Sequence, residues 1–506
     1  MNQLEPLAEP IVLINGTRLA PEEARALMAI RVQQRLSNPT QCELVFAEPQ
    51  NAVGGGAPFR PGAALRVGVS GQTEPLFDGE LTAIEVDYHP SQAREMRARG
   101  YDALHRLRKR QEVRSHVQVT PLDLAREMAG ELGVSVRSKE PGPLRQIIIQ
   151  QNQSNLDLLI DELASCGLYL TLRGKTLHLV TLDGIDDPFP LALGDSLLEA
   201  HFEVNGDPAC RSVAVSGWNP QRVDHHEGRA ARARVGRAVR AEASPSSFGA
   251  KGEVTLSDEV MADSGHAQAL AQAELDRRSA AEVIFRGTAP GDARLRPGAR
   301  VSVTGVADQF AGQYSLTEVT HTIDGRAGYV SEVSTAPPPA RRRGRHAVVT
   351  KGVVTRVSDP DRRGLVRVAL PTYGGVETDW IGVLSAGAGP GKGLVMLPDV
   401  GDQVLVLFVN EDPAQCIVLG GLFGVKGPPD AGVDGESIRR YTLITGKGQK
   451  VQLDDTAGTI RLENLEGSYV ELSPKKVLIH AATDLDLEAP GRAVVIRGRS
   501  IDFQRG

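Results

Sequence analysis

The stretch Asp484-Leu485-Asp486-Leu487-Glu488 alternates carboxylate and leucine without a break. At the twofold period of an extended strand, the two leucines go to one face and the three carboxylates to the other. The stretch sits in a run that, from Tyr469 onward, repeats a short apolar cluster about every eight residues, at Val470, Val477, Leu485, Val494 and Ile501. Narrow strands of this kind need cover for their apolar face, and roughly 70 residues of them cannot build a core unaided. Identical strands from other copies are the simplest source, wound into a β-helical prism whose closure also removes exposed strand edges. Val470, Val477, Leu485, Leu487, Val494 and Ile501 are the residues expected inside such a prism. An ordinary small sandwich is the alternative.

Working back from this tail, two breaks divide the chain. Pro337-Pro338-Pro339 followed by Arg341-Arg342-Arg343-Gly344-Arg345 is a stiff, solvated linker, and Gly427-Pro428-Pro429 marks a second. The expected blocks are 1–336, a linker at 337–347, a compact β segment at 348–426, a linker at 427–437 and the tail at 438–506. The first block reads as strands with helical insertions. Asn15-Gly16 between apolar runs signals a tight hairpin, and Arg173-Gly174-Lys175 a second. Thr120-Pro121 opens a helix whose apolar stripe ends at Gly133, and Asn155 is the expected cap of another that stops near Gly167. Residues 221–248 read as a surface excursion and 257–280 as a third helix. The predicted fold class is therefore mainly β with some helices.

Composition agrees. In 506 residues there are 54 glycines and 31 prolines but only 4% aromatics, the balance of many short strands joined by tight turns. Basic and acidic residues number 57 and 63, a net charge of −6, which offers no general attraction for nucleic acid. Cys42, Cys166, Cys210 and Cys416 are far apart and form neither a disulfide framework nor a thiolate zinc motif. Met1-Asn2-Gln3-Leu4-Glu5 lacks the basic start of a secretory signal, so synthesis in the cytoplasm and delivery by another route are expected.

The segment Gly364-Leu365-Val366-Arg367-Val368-Ala369-Leu370-Pro371, with Trp380-Ile381-Gly382-Val383-Leu384 and Leu397-Pro398-Asp399-Val400-Gly401-Asp402-Gln403-Val404, resembles the OB-fold barrel of contractile-tail spike proteins. Gly448-Gln449-Lys450-Val451-Gln452-Leu453-Asp454 is similar to the start of the spike's triple-stranded β-helix. Leu295-Arg296-Pro297-Gly298-Ala299 and Tyr314-Ser315-Leu316-Thr317-Glu318-Val319 are similar to the late-control hub domain of VgrG-type proteins. The resemblance implies a hub of β-barrels, an OB collar and an intertwined β-helical spike, forming a homotrimer at the tip of a phage tail, an extracellular injection particle or a type VI secretion system. It implies tube and baseplate proteins as partners, with cargo effectors and a target envelope met on firing. A PAAR-type tip protein would dock on Ile501 and Phe503. The short linker between the barrel and the tail, and the chain end at Gly506, leave no room for the lysozyme or toxin that some relatives carry.

No catalytic, cofactor or metal residues are expected. Gly387-Ala388-Gly389-Pro390-Gly391-Lys392-Gly393 lacks the first glycine and the hydroxyl of a phosphate loop. His225-His226 point opposite ways on a strand, and Asp454-Asp455 precede Thr456-Ala457-Gly458 as a turn would. Val215-Ser216-Gly217-Trp218 is not a nucleophile elbow, and Tyr373 and Trp380 are too few for a carbohydrate platform. The rival function, a tail-associated cell-wall or polysaccharide-degrading enzyme, rests only on Glu80, Glu85 and Asp87, which read better as outward charges on a strand.

Overall fold

A computed structural model describes residues 9–47, 58–88, 94–220, 222–341, 346–424 and 427–504; the arginines 342, 343 and 345 of the proline-arginine linker lie outside them. The architecture is mainly β, and the chain divides into two compact units, Met1–Gly421 and Leu422–Gly506.

The first unit is organised by an eleven-stranded antiparallel sheet. In its middle, Leu27–Arg35 lies against Glu318–Asp324 with Val32 opposite His321, so the start of the chain and the residues near 320 are ladder neighbours. Alternate side chains then face one way, and Ile30, Val32, Leu44, Phe46 and Met96 pack into one core. The expected hairpin is present: Pro10–Ile14 pairs with Thr17–Arg18 across Asn15 and Gly16, both at positive φ, as a two-residue turn of this hand requires.

Two helices supply a second core. Thr120 caps Pro121–Gly130 as its sequence implies, its Oγ1 accepting from the Asp123 amide at 3.2 Å. The cap of Asn155–Ala164 is Ser154 rather than Asn155, because the serine hydroxyl accepts from the Asp157 amide while the Asn155 side chain accepts from Gln150 at 2.9 Å. Leu124, Met128, Leu159 and Leu163 close this core against the Tyr169–Arg173 and Thr176–Val180 hairpin.

Two local readings are corrected. The excursion at 221–248 contains a strand, Asp224–Ala230, paired with Ser212–Asn219. Its side chains look uninformative because backbone pairing holds it, with only Gly228 and Ala230 turned inward. The third helix begins later: Glu253–Val260 is a strand, and Asp263 caps Ser264–Glu282 by accepting from the His266 amide at 2.8 Å. The glycine-rich 387–393 segment is a small hairpin, with Ala388–Gly389 pairing with Lys392–Gly393.

The end of the first unit is a barrel. Five strands lie in the order Val376–Glu377, Arg367–Leu370, Val348–Arg356, Gln403–Val409, Asp412–Gly421. A connecting segment joins the two ends of that order: Ile381 bridges to Val366 with hydrogen bonds of 2.9 and 3.0 Å, and Leu384 donates to Val418 O at 2.8 Å. Closure leaves no free edge and turns one side of every strand inward. Val354, Val366, Val368, Leu370, Val404, Val406 and Phe408 fill the interior. Gly352 is required in the wall, since a Cβ there would strike Val368 and Val406.

Candidate assembly interface

The second unit is built on another five-stranded antiparallel sheet, Arg440–Ile444, Lys450–Asp454, Thr459–Glu463, Tyr469–Leu472 and Val477–His480, in chain order. Asp454 Oδ1 accepts from the Ala457 amide at 2.8 Å, so the paired aspartates do serve a turn. The register lines up two rows of apolar side chains on one face. Leu443, Val451, Leu462, Val470 and Ile479 stand opposite one another across the strands, and Tyr441, Leu453, Ile460, Leu472 and Val477 form the second row.

That face is bare. No apolar side chain after Val418 is buried among the described residues, and Tyr441, Leu462 and Ile479 are each 57% exposed. The opposite, polar face covers itself better. Arg461 lies 3.8 Å above the Tyr469 ring and pairs with Glu463 at 3.2 Å and Glu471 at 3.1 Å. Asp430 gathers Arg440, Gln452 and the Gly432 amide, and the hydrogen bond from Arg440 holds its carboxyl well below the usual range. The sheet thus inverts the usual arrangement, with half-buried charges and open leucines. A contiguous apolar surface of this kind marks an interaction site.

Of the residues expected in the spike core, Val470 and Val477 belong to these rows. Leu485, Leu487, Val494 and Ile501 lie in 481–504, which forms no strand within the single chain, and all four are exposed. Phe503, the expected docking residue beside Ile501, is 88% exposed. The other eight row members are additions. Their signal was present in Lys450-Val451-Gln452-Leu453-Asp454 and Thr459-Ile460-Arg461-Leu462-Glu463, whose alternation is as regular as that at 484–488.

No group of three His, Cys, Asp or Glu side chains that could hold a metal occurs among the described residues. His225 meets Ser216 Oγ at 2.9 Å but stands on an open sheet surface. Glu80 is not an outward charge. It is largely covered, its oxygens lying 2.5 Å from His105 Nε2 and 2.6 Å from Arg106 Nη2, and the Arg106 hydrogen bond holds its carboxyl at about 2. It anchors the 103–109 turn to the sheet; Glu85 pairs with Arg99 at 3.2 Å. Burial pushes the Cys166 thiol up to about 12 and raises those of Cys42, Cys210 and Cys416, which leaves them protonated and inert. Tyr373 packs edge-on against Phe408 at 5.2 Å, and Trp380 lies beneath Arg367 at 5.1 Å. A cavity of about 1190 Å³ between the Asn155–Ala164 and Ser264–Glu282 helices and the barrel is walled by ion pairs such as Arg145 with Glu162 and Arg341 with Asp161.

A mainly β first unit ending in a closed barrel, and a tail sheet with an open apolar face, make a fold similar to that of VgrG-type hub and spike proteins. Residues 350–423 match the type VI secretion system/phage-baseplate injector OB domain. Residues 6–325 match the Alg8 N-terminal domain, and the chain belongs to that family. Among solved structures, it is similar to a chain of a Francisella PdpA-VgrG complex, with a TM-score of 0.57 at 8% identity, over 95% of this chain and 89% of that one. A second is the E. coli c3393 protein, described as a component of the type VI secretion system with structural similarity to the T4 bacteriophage tail proteins gp27 and gp5. There the TM-score is 0.53 at 12% identity, over 81% of this chain and 99% of that one. No curated protein sequence matches it.

Proposed function

We propose that three copies assemble into the hub and spike of a contractile injection machine, which joins the tube and baseplate to a tip and carries force and cargo through a target envelope. The observation that carries this is the pair of bare apolar rows on the tail sheet. Each such side chain gains about 1.5–3 kcal/mol on full burial, and a self-complementary sheet is covered most simply by its own copies. The relatives' names, which speak of secretion and tail components, support placing that assembly in an injection machine. The work is mechanical, and no group on the chain is asked to turn over a substrate.

Two exposed apolar side chains support a tip partner: Ile501 and Phe503 present apolar surface that a small β-rich cap of the PAAR type would cover. Light scattering coupled to gel filtration should return the trimer mass, and the monomer mass in every buffer would end this reading. Removing 500–506 should abolish capture of the tip protein while the trimer persists. A truncated trimer that keeps its cap would move the docking surface elsewhere.

A further inference from the structure

Beyond the tail sheet, two blocks of opposite charge precede Asp502. Asp484, Asp486 and Glu488 come first, then Arg492, Arg497 and Arg499, and neither block contains a charge of the other sign. All six side chains are exposed, and none makes an ion pair among the described residues. The sheet just upstream behaves differently: Arg461, Glu463, Glu471 and Lys450 form one connected set of pairs. Where the chain builds its own sheet it also neutralises its own charges; in 481–504 it does neither.

The joint between the blocks explains why. Across Ala489-Pro490-Gly491, the Arg492 amide donates to Ala489 O at 2.9 Å, and Gly491 has φ 69°. Proline followed by glycine at positive φ is a type II turn, whose twist splays the flanking segments instead of zipping them into a hairpin. No backbone ladder joins the blocks within the chain. Each block therefore needs a neighbour that its own chain does not bring.

Resting on the trimeric reading above, we infer that the acidic block of one copy lies beside the basic block of the next copy in the needle wall, and that this pairing sets the register of the three chains. Adjacent strands lie about 4.8 Å apart, where opposite charges across the ladder attract and like charges directly opposite repel. Identical blocks stacked in register would bring carboxylates against carboxylates, so the pattern selects one arrangement and rejects its main competitor. The leucines and valines hold the copies together but are nearly interchangeable, and they distinguish registers poorly. The charge blocks supply that discrimination.

The test uses the full-length chain with two differently tagged variants. One carries Asp484→Arg, Asp486→Arg and Glu488→Arg, making both blocks basic; the other carries Arg492→Glu, Arg497→Glu and Arg499→Glu, making both acidic. Each alone should lose closed tail, with the protease-resistant trimer falling about tenfold or more, since like-charge contacts replace attractive ones in every copy. Co-expressed, the two should recover part of the resistance in oligomers that carry both tags, since a ring of three always keeps one seam between like variants, and a chain with all six changes should recover it fully alone. If either triple variant keeps a wild-type tail, or if the six-fold exchange stays open, the pairing is wrong. Recovery by the six-fold exchange without mixed oligomers would place the pairing within one chain and overturn the inference. These failures leave a wild-type trimer intact, whereas a monomeric wild type would instead remove the function proposed above.

Discussion

The barrel and the tail sheet are both five-stranded and antiparallel, and both are written in the same alternating code. In the barrel, Val404, Val406 and Phe408 alternate with outward residues and are completely buried. In the tail, Leu453 and Leu462 alternate as regularly and remain 45% and 57% exposed. The difference lies in one short connection. The segment containing Ile381 and Leu384 bridges both ends of the barrel's strand order, whereas the tail has no such bridge among the described residues. One sheet is covered by its own curvature; the other stands open. Alternation therefore determines which face is apolar, and connectivity determines who covers it.

That contrast breaks most sharply by placing a charge on each apolar face. Leu453→Asp with Leu462→Asp should abolish the oligomer, because an unpaired carboxylate in a dry interior costs on the order of several kcal/mol per site. The product should be a monomer with a folded hub and barrel, seen by light scattering and limited proteolysis. Val406→Asp should do the opposite, unfolding the barrel within each copy at any concentration. If the tail variant remains a trimer, its apolar rows do not face other copies.

A smaller effect is expected further down. Leu485→Asp with Leu487→Asp should fray the distal needle and leave the proximal sheet assembled, so that protease trims the end without releasing monomer. Unchanged heat and protease resistance of the tail would mean that these leucines do not point inward.

The closed member of the pair can be stressed by volume alone. Gly352→Ala pushes a methyl group into Val368 and Val406 in the barrel wall and should destabilise it by about 1–3 kcal/mol. On the polar face of the tail sheet, Thr459→Val exchanges a hydroxyl for a methyl group at nearly constant volume and should change the unfolding free energy by less than about 0.5 kcal/mol. Equal shifts at the two positions would show the tail to be as tightly packed as the barrel.

A pH-dependent effect separates the hub from both sheets. The Glu80 carboxyl is held at about 2 in the folded protein against an ordinary 4.5, so its contribution is complete above the ordinary value. It is lost as the pH falls from about 4.5 toward 2, at a cost of about 1–2 kcal/mol after solvent screening. Glu80→Gln should flatten that part of the stability profile of the hub. An unaltered acid limb would show that His105 and Arg106 do not anchor the turn through this carboxylate.

How far the sequence could be read follows from the kind of information each element uses. Alternation at 450–454, 459–463 and 484–488 is a local property, as are the Asn15-Gly16 hairpin and the Thr120 cap, and each is legible because a residue's own φ preference or side-chain oxygen acts within a few positions. Asp224–Ala230 was not legible as a strand, since its partner Ser212–Asn219 supplies the ladder and its own side chains mostly face water. Glu80 was misread for a related reason: period two assigns a face, but only the fold brings His105 and Arg106 onto it. The sequence by itself determined that the tail has an apolar face and where its charges change sign. Only tertiary structure decided that the barrel covers its face and the tail does not, because closure depends on a contact between residues distant in the chain, such as Val383 with Val418, and no local pattern encodes that contact.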